Sequence, residues 1–494
     1  MSVASAILNG RPVERSSMIT GSRMAAVDEN AAALGVPRKQ LMESSGNAVA
    51  RAIREVAKPD SSVAIVAGRG NNGGDAFAAA RFLEADDVTT LLLGRAENIG
   101  TEIARENWDV LEQTDHDTRE IEDSSGFDLP DADVVVDAML GTGISGDLRE
   151  PVATAAEAIN DATATVVAVD VPTGFDADGG DHAENRVEAD HVVTFHDAKP
   201  GLEDLTAEVI VADIGIPAAA ERFVGPGDVS LARPDGREGR PYVVGGGPYT
   251  GAPALAAQAA LRAGAELSFV AAPESVADEI QGYAADLVVQ PYEEEVLTPG
   301  RADDLLETAR EYDNPVVLGP GLGTADETLE AARQFLASYD GRVVVDADAL
   351  EIVPEIETDA TLVCTPNRAE LVGMGGPDAS DLRPVADDIE TFTAELDQVD
   401  VMLAKGATDV ITDGERTRIS RSGTAGMKVG GTGDTLAGIV AALLEYAEPL
   451  DAASAGAHVN GLAGERLAKD DEYGFLASEL LEEIPAVLWG DGDV

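Results

Sequence analysis

The chain has 494 residues, of which 44% are hydrophobic and 26% charged, and its 92 acidic residues outweigh 34 basic ones to a formal net charge of −58. At about 100–200 residues per domain this allows two or three proper cores, while the acidity excludes DNA and RNA as partners, whose phosphates need clustered Lys and Arg. No apolar run approaches the ~18 residues of a membrane span, Met1–Met24 lacks the basic-then-apolar order of a signal peptide, and the single Cys364 excludes an internal disulfide.

The acid is spread along the whole chain, and only six lysines are present: Lys39, Lys58, Lys199, Lys405, Lys428 and Lys469. That pattern reads as a halophile signature rather than as an acidic face for a basic partner. Self-repulsion destabilises such a chain at low salt, and molar salt screens it by shortening the Debye length to about 3 Å. A soluble, cytoplasmic protein is expected.

In chain order, helical stretches at Met24–Leu34 and Asn47–Val56 precede short buried strands at Val63–Ala67, Leu91–Leu93, Val134–Val136, Val166–Val171 and Val192–Phe195. Periodicity lapses at residues 217–240, where Gly225-Pro226-Gly227-Asp228 and Pro234-Asp235-Gly236 punctuate the chain. Strands then resume at Val243–Val244, Val316–Leu318, Val343–Val345 and Val401–Ala404, with a helix at Ala252–Ala263. Short apolar runs between alanine-rich helices predict parallel sheets covered on both faces. The expectation is an α/β chain of two domains, 1–222 and 223–494, each an αβα sandwich, the first Rossmann-like.

The first strand of the N-terminal half runs into Gly68-Arg69-Gly70-Asn71-Asn72-Gly73-Gly74-Asp75, and a helix is expected from near Ala76. Glycines permit close approach of backbone to ligand, and a helix N-terminus favours an anion. The run lacks the Gly-Lys-Ser/Thr of a Walker loop and the G-x-G-x-x-G of a standard dinucleotide fingerprint. Two more loops follow strands: Asp137 to Gly146, and Asp170-Val171-Pro172-Thr173-Gly174-Phe175-Asp176. All should meet at the carboxyl edge of the sheet, where open α/β folds bind ligands. Their carboxylate, amide and hydroxyl oxygens suit a small hard cation.

These blocks resemble the YjeF N-terminal family of NAD(P)HX epimerases. The match runs from Met24-Ala25-Ala26-Val27-Asp28 and Leu41-Met42-Glu43-Ser44-Ser45-Gly46 to Lys199-Pro200-Gly201-Leu202 and covers about residues 15–220. The resemblance implies potassium held by Asn72, Asp137 and Thr173. It places the hydrated dinucleotide on Asn71, Asn72, Gly73, Gly74 and Asp75 and on Gly141, Thr142, Gly143, Ile144, Ser145, Gly146 and Asp147. Asp170 is the expected acid/base and also a substrate contact. The hydroxylated ring carbon beside the ring nitrogen is a hemiaminal, so hydroxide can leave through an iminium-like state and return on the other face, with a carboxylate moving the proton. Ala76 stands where the family usually has glycine, and its methyl is expected to narrow the site's mouth.

The C-terminal half carries Gly245-Gly246-Gly247-Pro248-Tyr249-Thr250-Gly251-Ala252, then Leu318 to Gly323, Asp346 to Leu350, Thr365 to Glu370 and Lys405 to Asp409. Its strongest block is Gly430-Gly431-Thr432-Gly433-Asp434, which opens a helix. Such amides form an anion hole for a transferring phosphoryl group, and an adjacent aspartate can take a hydroxyl proton. The order of blocks resembles the ribokinase-like superfamily and, within it, the nucleotide-dependent NAD(P)HX dehydratases, over about residues 225–490. That resemblance implies Asp434 as base and substrate contact, with Ala252, Gly321, Gly323 and Asn367 facing the hydrated dinucleotide. Lys405, Gly406, Ala407, Thr408, Asp409 and Gly433 would hold the nucleotide. Asn367 stands where relatives often have histidine. The implied donor is ADP with Mg2+. The scattered histidines offer no zinc spacing.

The expected partners are therefore NAD(P)HX and ADP, with a second copy of the chain as a homo-oligomer, and no nucleic acid or membrane. Three other readings stay open: a vitamin-type kinase for the second half, a non-catalytic scaffold for the first, and a nucleotide-binding protein without turnover.

Overall fold

The computed structural model describes residues 18–83, 87–142, 146–180, 182–203, 205–469 and 472–490, together with backbone pairing at 7–8 and 11–12. It separates into two compact units, Met1–Pro217 and Ala218–Val494. The division falls slightly N-terminal of 222/223. The short helix Ala219–Arg222 leads directly into a bridge of Phe223 to Ile419, and Val224 N donates to Ile419 O at 3.0 Å, so this segment is tied to the second unit.

The first unit's strands are β1 (Ile7–Leu8), β2 (Arg11–Pro12), β3 (Ser62–Ala67), β4 (Asp87–Leu93), β5 (Asp117–Ile121), β6 (Val134–Ala138), β7 (Thr165–Val169), β8 (His191–Phe195) and β9 (Glu208–Ala212). They form one sheet in the order β2-β1-β9-β8-β7-β6-β3-β4-β5, parallel except for β1 with β2. β3 pairs with β4 on one side and β6 on the other, so the strand order reverses there. A crevice opens at such a switch point, outside the carboxyl ends of the strands. The central strands are buried along almost their whole length because helices cover both faces.

The second unit repeats this plan with β10 (Tyr242–Val244), β11 (Phe269–Pro273), β12 (Val288–Tyr292), β13 (Val316–Leu318), β14 (Arg342–Val345), β15 (Thr361–Cys364), β16 (Val401–Ala404), β17 (Asp409–Thr412) and β18 (Thr417–Ser420). The order is β12-β11-β10-β13-β14-β15-β16-β17-β18, parallel from β12 to β16 and antiparallel beyond. Its reversal lies between β10 and β13. The α/β class expected for both halves holds.

Local departures have physical causes. Strand β7 stops at Val169 rather than Val171 because Asp170 adopts a left-handed φ of 64°. The helix expected from Asn47 starts at Arg38, directly after Pro37. The helix expected near Ala76 starts at Asn71, so Asn71 to Asp75 are its opening turns rather than a loop. Gly73 permits this, since a Cβ there would sit 2.1 Å from Gly68 O. Ala76 is fully buried and is not among the residues lining the cleft described below, so its methyl does not narrow the mouth.

One glycine locks the second unit's loops together. Gly319, after β13, has φ +127°, and a Cβ on it would lie 1.8 Å from Asp346 O, after β14. Gly319→Ala should therefore lower folding stability by about 2–5 kcal/mol, from left-handed strain of ~1–2 and overpacking of ~1–3. The check is the denaturant midpoint of the transition that the second unit reports; an unshifted midpoint would contradict the packing.

Candidate functional sites

In the first unit a cleft of about 1590 Å³ lies at the switch point. Gly68 to Asn72 and Asp75 line it from the end of β3 and the helix Asn71–Phe82; Met139 to Thr142 and Gly146 to Val152 line it from the loop after β6; and Asp170 and Lys199 complete its floor. Gly143, Ile144 and Ser145 lie outside the described residues. The helix has Gly70 as its extended N-cap and no side-chain cap, so its first amides are left for another acceptor. Thr101 Oγ1 donates to Asn71 Oδ1 at 2.9 Å and orients that side chain. Gly73 and Gly74 are buried against protein instead, with Met42 and Ala104 filling the space a Cβ on Gly74 would need.

Asn72, Asp137 and Thr173 are linked through Leu140. Asn72 Nδ2 donates to Leu140 O at 2.9 Å, and Leu140 N donates to Thr173 Oγ1 at 3.1 Å. Thr173 gives both its N–H and its hydroxyl to the Asp137 carboxylate, each at 2.7 Å. Asp137 is fully buried, and burial pushes its carboxyl up to about 6 despite those bonds. Asn72 Oδ1 is buried with no hydrogen-bond partner. An orphaned buried carbonyl oxygen is costly, and with the carboxylate of Asp137 and the hydroxyl of Thr173, linked to Asn72 through Leu140, it makes a donor set that fits a hard monovalent cation.

Asp170 is held from behind. Lys199 Nζ approaches its Oδ1 at 3.0 Å and Thr194 Oγ1 donates to the same oxygen at 3.1 Å. Lys199 is 1% exposed, and its ammonium also donates to Thr194 Oγ1 and Phe195 O, both at 2.9 Å. A buried ammonium needs such compensation. The pairing fixes the carboxylate at the end of β7 and neutralises the lysine.

In the second unit the helix Thr432–Leu443 begins after Gly431, whose φ is +104°, and has no side-chain cap. Helix Gly251–Arg262 packs so closely on it that a Cβ on Gly438 would lie 2.0 Å from Ala256 O. Asn460 braces the first turn: its Nδ2 donates to Thr432 O at 3.1 Å and its Oδ1 accepts from Thr435 Oγ1 at 2.9 Å. Asp434 stands in that turn. Burial first, then the charge of Asp346, pushes its carboxyl up to about 7, with Lys405 opposing. Lys405, at the end of β16, bonds Asp346 Oδ1 at 2.7 Å, and Thr365 Oγ1 donates to the same oxygen at 2.7 Å. A Cβ on Gly433 would lie 3.0 Å from Lys405 Nζ, so ammonium and helix start are in contact range. Lys405 thus belongs to a buried ion network and is no solvated strand-end lysine.

The remaining expected residues separate into groups. Asp409 turns inward: Gly406 N donates to its Oδ1 at 2.9 Å and burial pushes it up to about 7, so it shapes the loop that presents Gly406, Ala407 and Thr408. Gly321 and Gly323 are left-handed at φ +74° and +77° and pack on Tyr249 and Pro248, just before Ala252, while Asp348 Oδ2 accepts from Gly323 N at 2.8 Å. Asn367 caps its own helix, accepting from Ala369 N at 2.8 Å and Glu370 N at 3.2 Å, so its oxygen is occupied.

Lys199, Asp346 and Glu370 carry no role that the sequence motifs imply. Burial first raises Glu370, and Lys405 opposes the rise, which places Glu370 within the same charge network. Lysine scarcity was the available signal: of six lysines, two are spent on interior carboxylates. Among the described residues no group of three or more His, Cys, Asp or Glu could hold a metal ion, and no helix is long and apolar enough to cross a membrane.

Two glycine-opened, uncapped helix starts, each beside a lysine-paired carboxylate, are thus carried on two separate αβα units. Comparison with known proteins matches a different family to each unit. The family of the YjeF-related protein N-terminus matches residues 38–201, and the NAD(P)H-hydrate dehydratase family matches residues 242–486. The bifunctional NAD(P)H-hydrate repair enzyme Nnr of Archaeoglobus fulgidus is 40% identical over 484 residues, covering 95% of this chain and 98% of that protein. The enzyme of the same name from Methanothermobacter thermautotrophicus is 40% identical over 490 residues, covering 94% of each chain. That from Pyrobaculum aerophilum is 39% identical over 500 residues, covering 95% of this chain and 98% of its own. With both family matches in the same order and similarity running nearly end to end, the chain belongs to the family of bifunctional NAD(P)H-hydrate repair enzymes.

Proposed function

We propose that the first unit interconverts the R and S forms of hydrated NAD(P)H and that the second dehydrates the S form at the expense of ADP, releasing AMP and phosphate. The observation that carries this reading is the pairing, in each unit, of an uncapped helix start with a carboxylate tied to an interior lysine: Asp170 with Lys199, and Asp434 in the network of Lys405 and Asp346. Damage gives both epimers, and neither unit alone would clear the mixture.

In the first unit the amides at the start of helix Asn71–Phe82 receive dinucleotide phosphate, with Gly141, Thr142, Gly146 and Asp147 across the cleft. Asn72, Asp137 and Thr173 would hold potassium, which would supply positive charge beside the loop around Leu140. Asp170 handles the proton at the hydroxylated carbon. In the second unit Asp434 takes the proton of the ring hydroxyl as that oxygen attacks the terminal phosphoryl group of ADP. The Gly433 amide and Lys405 stabilise the charge that develops. Elimination of phosphate with a ring proton then restores the double bond of NAD(P)H. Mg2+ bound with the nucleotide would supply neutralisation of phosphate charge beside Lys405 and the Gly433 amide. Gly406, Ala407 and Thr408 present the loop that holds the nucleotide, and Ala252, Gly321, Gly323 and the amide side of Asn367 face the dinucleotide. The setting is the cytoplasm.

The test mixes purified protein with both epimers of hydrated NADH, ADP, Mg2+ and multimolar KCl and follows reduced-nicotinamide absorbance. A rise that consumes both epimers is expected. No rise with ADP or ATP, or a rise that leaves one epimer, would remove the dehydratase or the epimerase respectively.

A further inference from the structure

The cleft of the first unit brings three carboxyls together: Asp28 from helix Gly21–Ala33, Asp75 from helix Asn71–Phe82, and Asp170 from the end of β7. They do not share cations equally. Asp170 has Lys199 at 3.0 Å. Burial raises Asp28, and Arg38, His196 and Lys199 oppose the rise. Asp75 faces the Asp170 and Asp28 carboxyls, which both raise it, and the Ser45 hydroxyl, which opposes the rise. Ser45, itself buried, already donates its hydroxyl to Leu41 O at 2.9 Å. With one interior ammonium committed to Asp170 and three cationic side chains opposing the rise of Asp28, Asp75 is the carboxyl raised furthest in a cleft built for an anionic ligand.

We infer that Asp75 is a second catalytic residue of the epimerase, a proton donor that works opposite the Asp170 carboxylate rather than a contact to phosphate. This inference rests on the epimerase reading of the first unit. In one direction the C–O bond at the hydroxylated carbon breaks and its electron pair leaves with oxygen. The Asp75 proton joins that oxygen and water departs. The ring nitrogen's lone pair forms the C=N bond of the iminium-like state. Water then adds to the other face, the C=N π pair returns to nitrogen, and Asp170 takes the surplus proton. The reverse direction exchanges the two roles, and solvent exchange resets them, so protons and electrons balance without a further reactant. A carboxyl raised by burial beside one paired with an ammonium supplies an acid and a base in one cleft. Burial first, then the Asp170 charge, holds Asp75 well above the usual carboxylate range, which keeps it a donor near neutrality.

The experiment follows one purified epimer of hydrated NADH by chromatography, without ADP so that the second unit is idle, and subtracts spontaneous epimerisation. In Asp75→Asn, kcat for epimerisation should fall about 10²–10⁴-fold with KM little changed. A raised KM with kcat retained would overturn the inference and make Asp75 a binding residue. Wild-type kcat should also fall on the alkaline side as Asp75 loses its proton, and this limb should vanish in Asp75→Asn. That measurement on the unaltered enzyme stands even if the variant does not fold: a wild-type rate that stays flat to high pH would overturn the proposal. So would loss of the limb in Asp28→Asn but not in Asp75→Asn. A wild-type enzyme no faster than buffer would instead overturn the epimerase reading itself.

Discussion

Asp434→Asn is expected to lower the turnover of the dehydratase about 10²–10⁴-fold, the usual contribution of a positioned general base, while ADP binding persists. The substitution keeps the shape of the side chain at the third residue of helix Thr432–Leu443 and removes only its capacity to accept a proton. Wild-type turnover should carry a matching signature. Burial and the nearby Asp346 carboxylate push Asp434 up to about 7. A raised carboxyl is protonated, and idle as a base, below that value. Turnover should therefore climb as pH rises through about 7 and level off above it, and the variant's residual rate should lack this climb. The measurement is the pH profile of ADP-dependent NADH formation from the S epimer, alongside calorimetric titration with ADP. Undiminished turnover in the variant would remove Asp434 from the chemistry.

Asp170→Asn is expected to slow enzymatic epimerisation by a similar ~10²–10⁴-fold. Backbone geometry makes this a clean substitution. Asp170 sits at φ 64°, and Asn is among the few residues that tolerate the left-handed region. The amide can still accept from Thr194 Oγ1, so the loop should hold its place. What disappears is the negative charge facing Lys199, leaving a 1%-exposed ammonium without its counter-ion, and the loss of one member of a buried pair costs stability of about 3–5 kcal/mol. With ADP present, one epimer should remain unconsumed at early times once spontaneous epimerisation is subtracted. Equal early consumption of both epimers would show that Asp170 has no part in the reaction. Pairing the change with Lys199→Met separates the two effects: the double variant should recover stability and stay slow.

The positions of the three N-terminal loops were legible because glycine runs after buried strands mark the carboxyl edge of a parallel sheet, and β3, β6 and β7 deliver them there. The helix start was misread for a reason that lies elsewhere in the chain. Gly73 and Gly74 are poor helix formers, which favours a loop from sequence alone. Tertiary contacts decide otherwise, because Gly68 O, Met42 and Ala104 occupy the space where side chains would stand. Strand β5, Asp117–Ile121, escaped notice because it is largely exposed and carries charge instead of an apolar run. The ion pairs were invisible for a third reason. Lys405 and Asp346 are 59 residues apart, and nothing local announces that β14 and β16 carry them to the same edge. Asn367 illustrates the converse. Its Asn-x-x-Glu spacing is a capping box, and the structure uses it as one.

The uncapped helix starts after Gly70 and Gly431 have a kinetic consequence. Their attraction for anions acts within about the first turn, whereas the net charge of −58 acts over the whole approach. A dinucleotide or nucleotide diphosphate is therefore repelled until it reaches the site. Electrostatically guided enzymes lose encounter rate as salt is added; here added salt should raise it, because the long-range repulsion is screened before the short-range capture is. Stopped-flow association of ADP across a KCl series would register this as a rate constant that increases with ionic strength. In such a protein the crowded electrolyte is part of how substrate gets in.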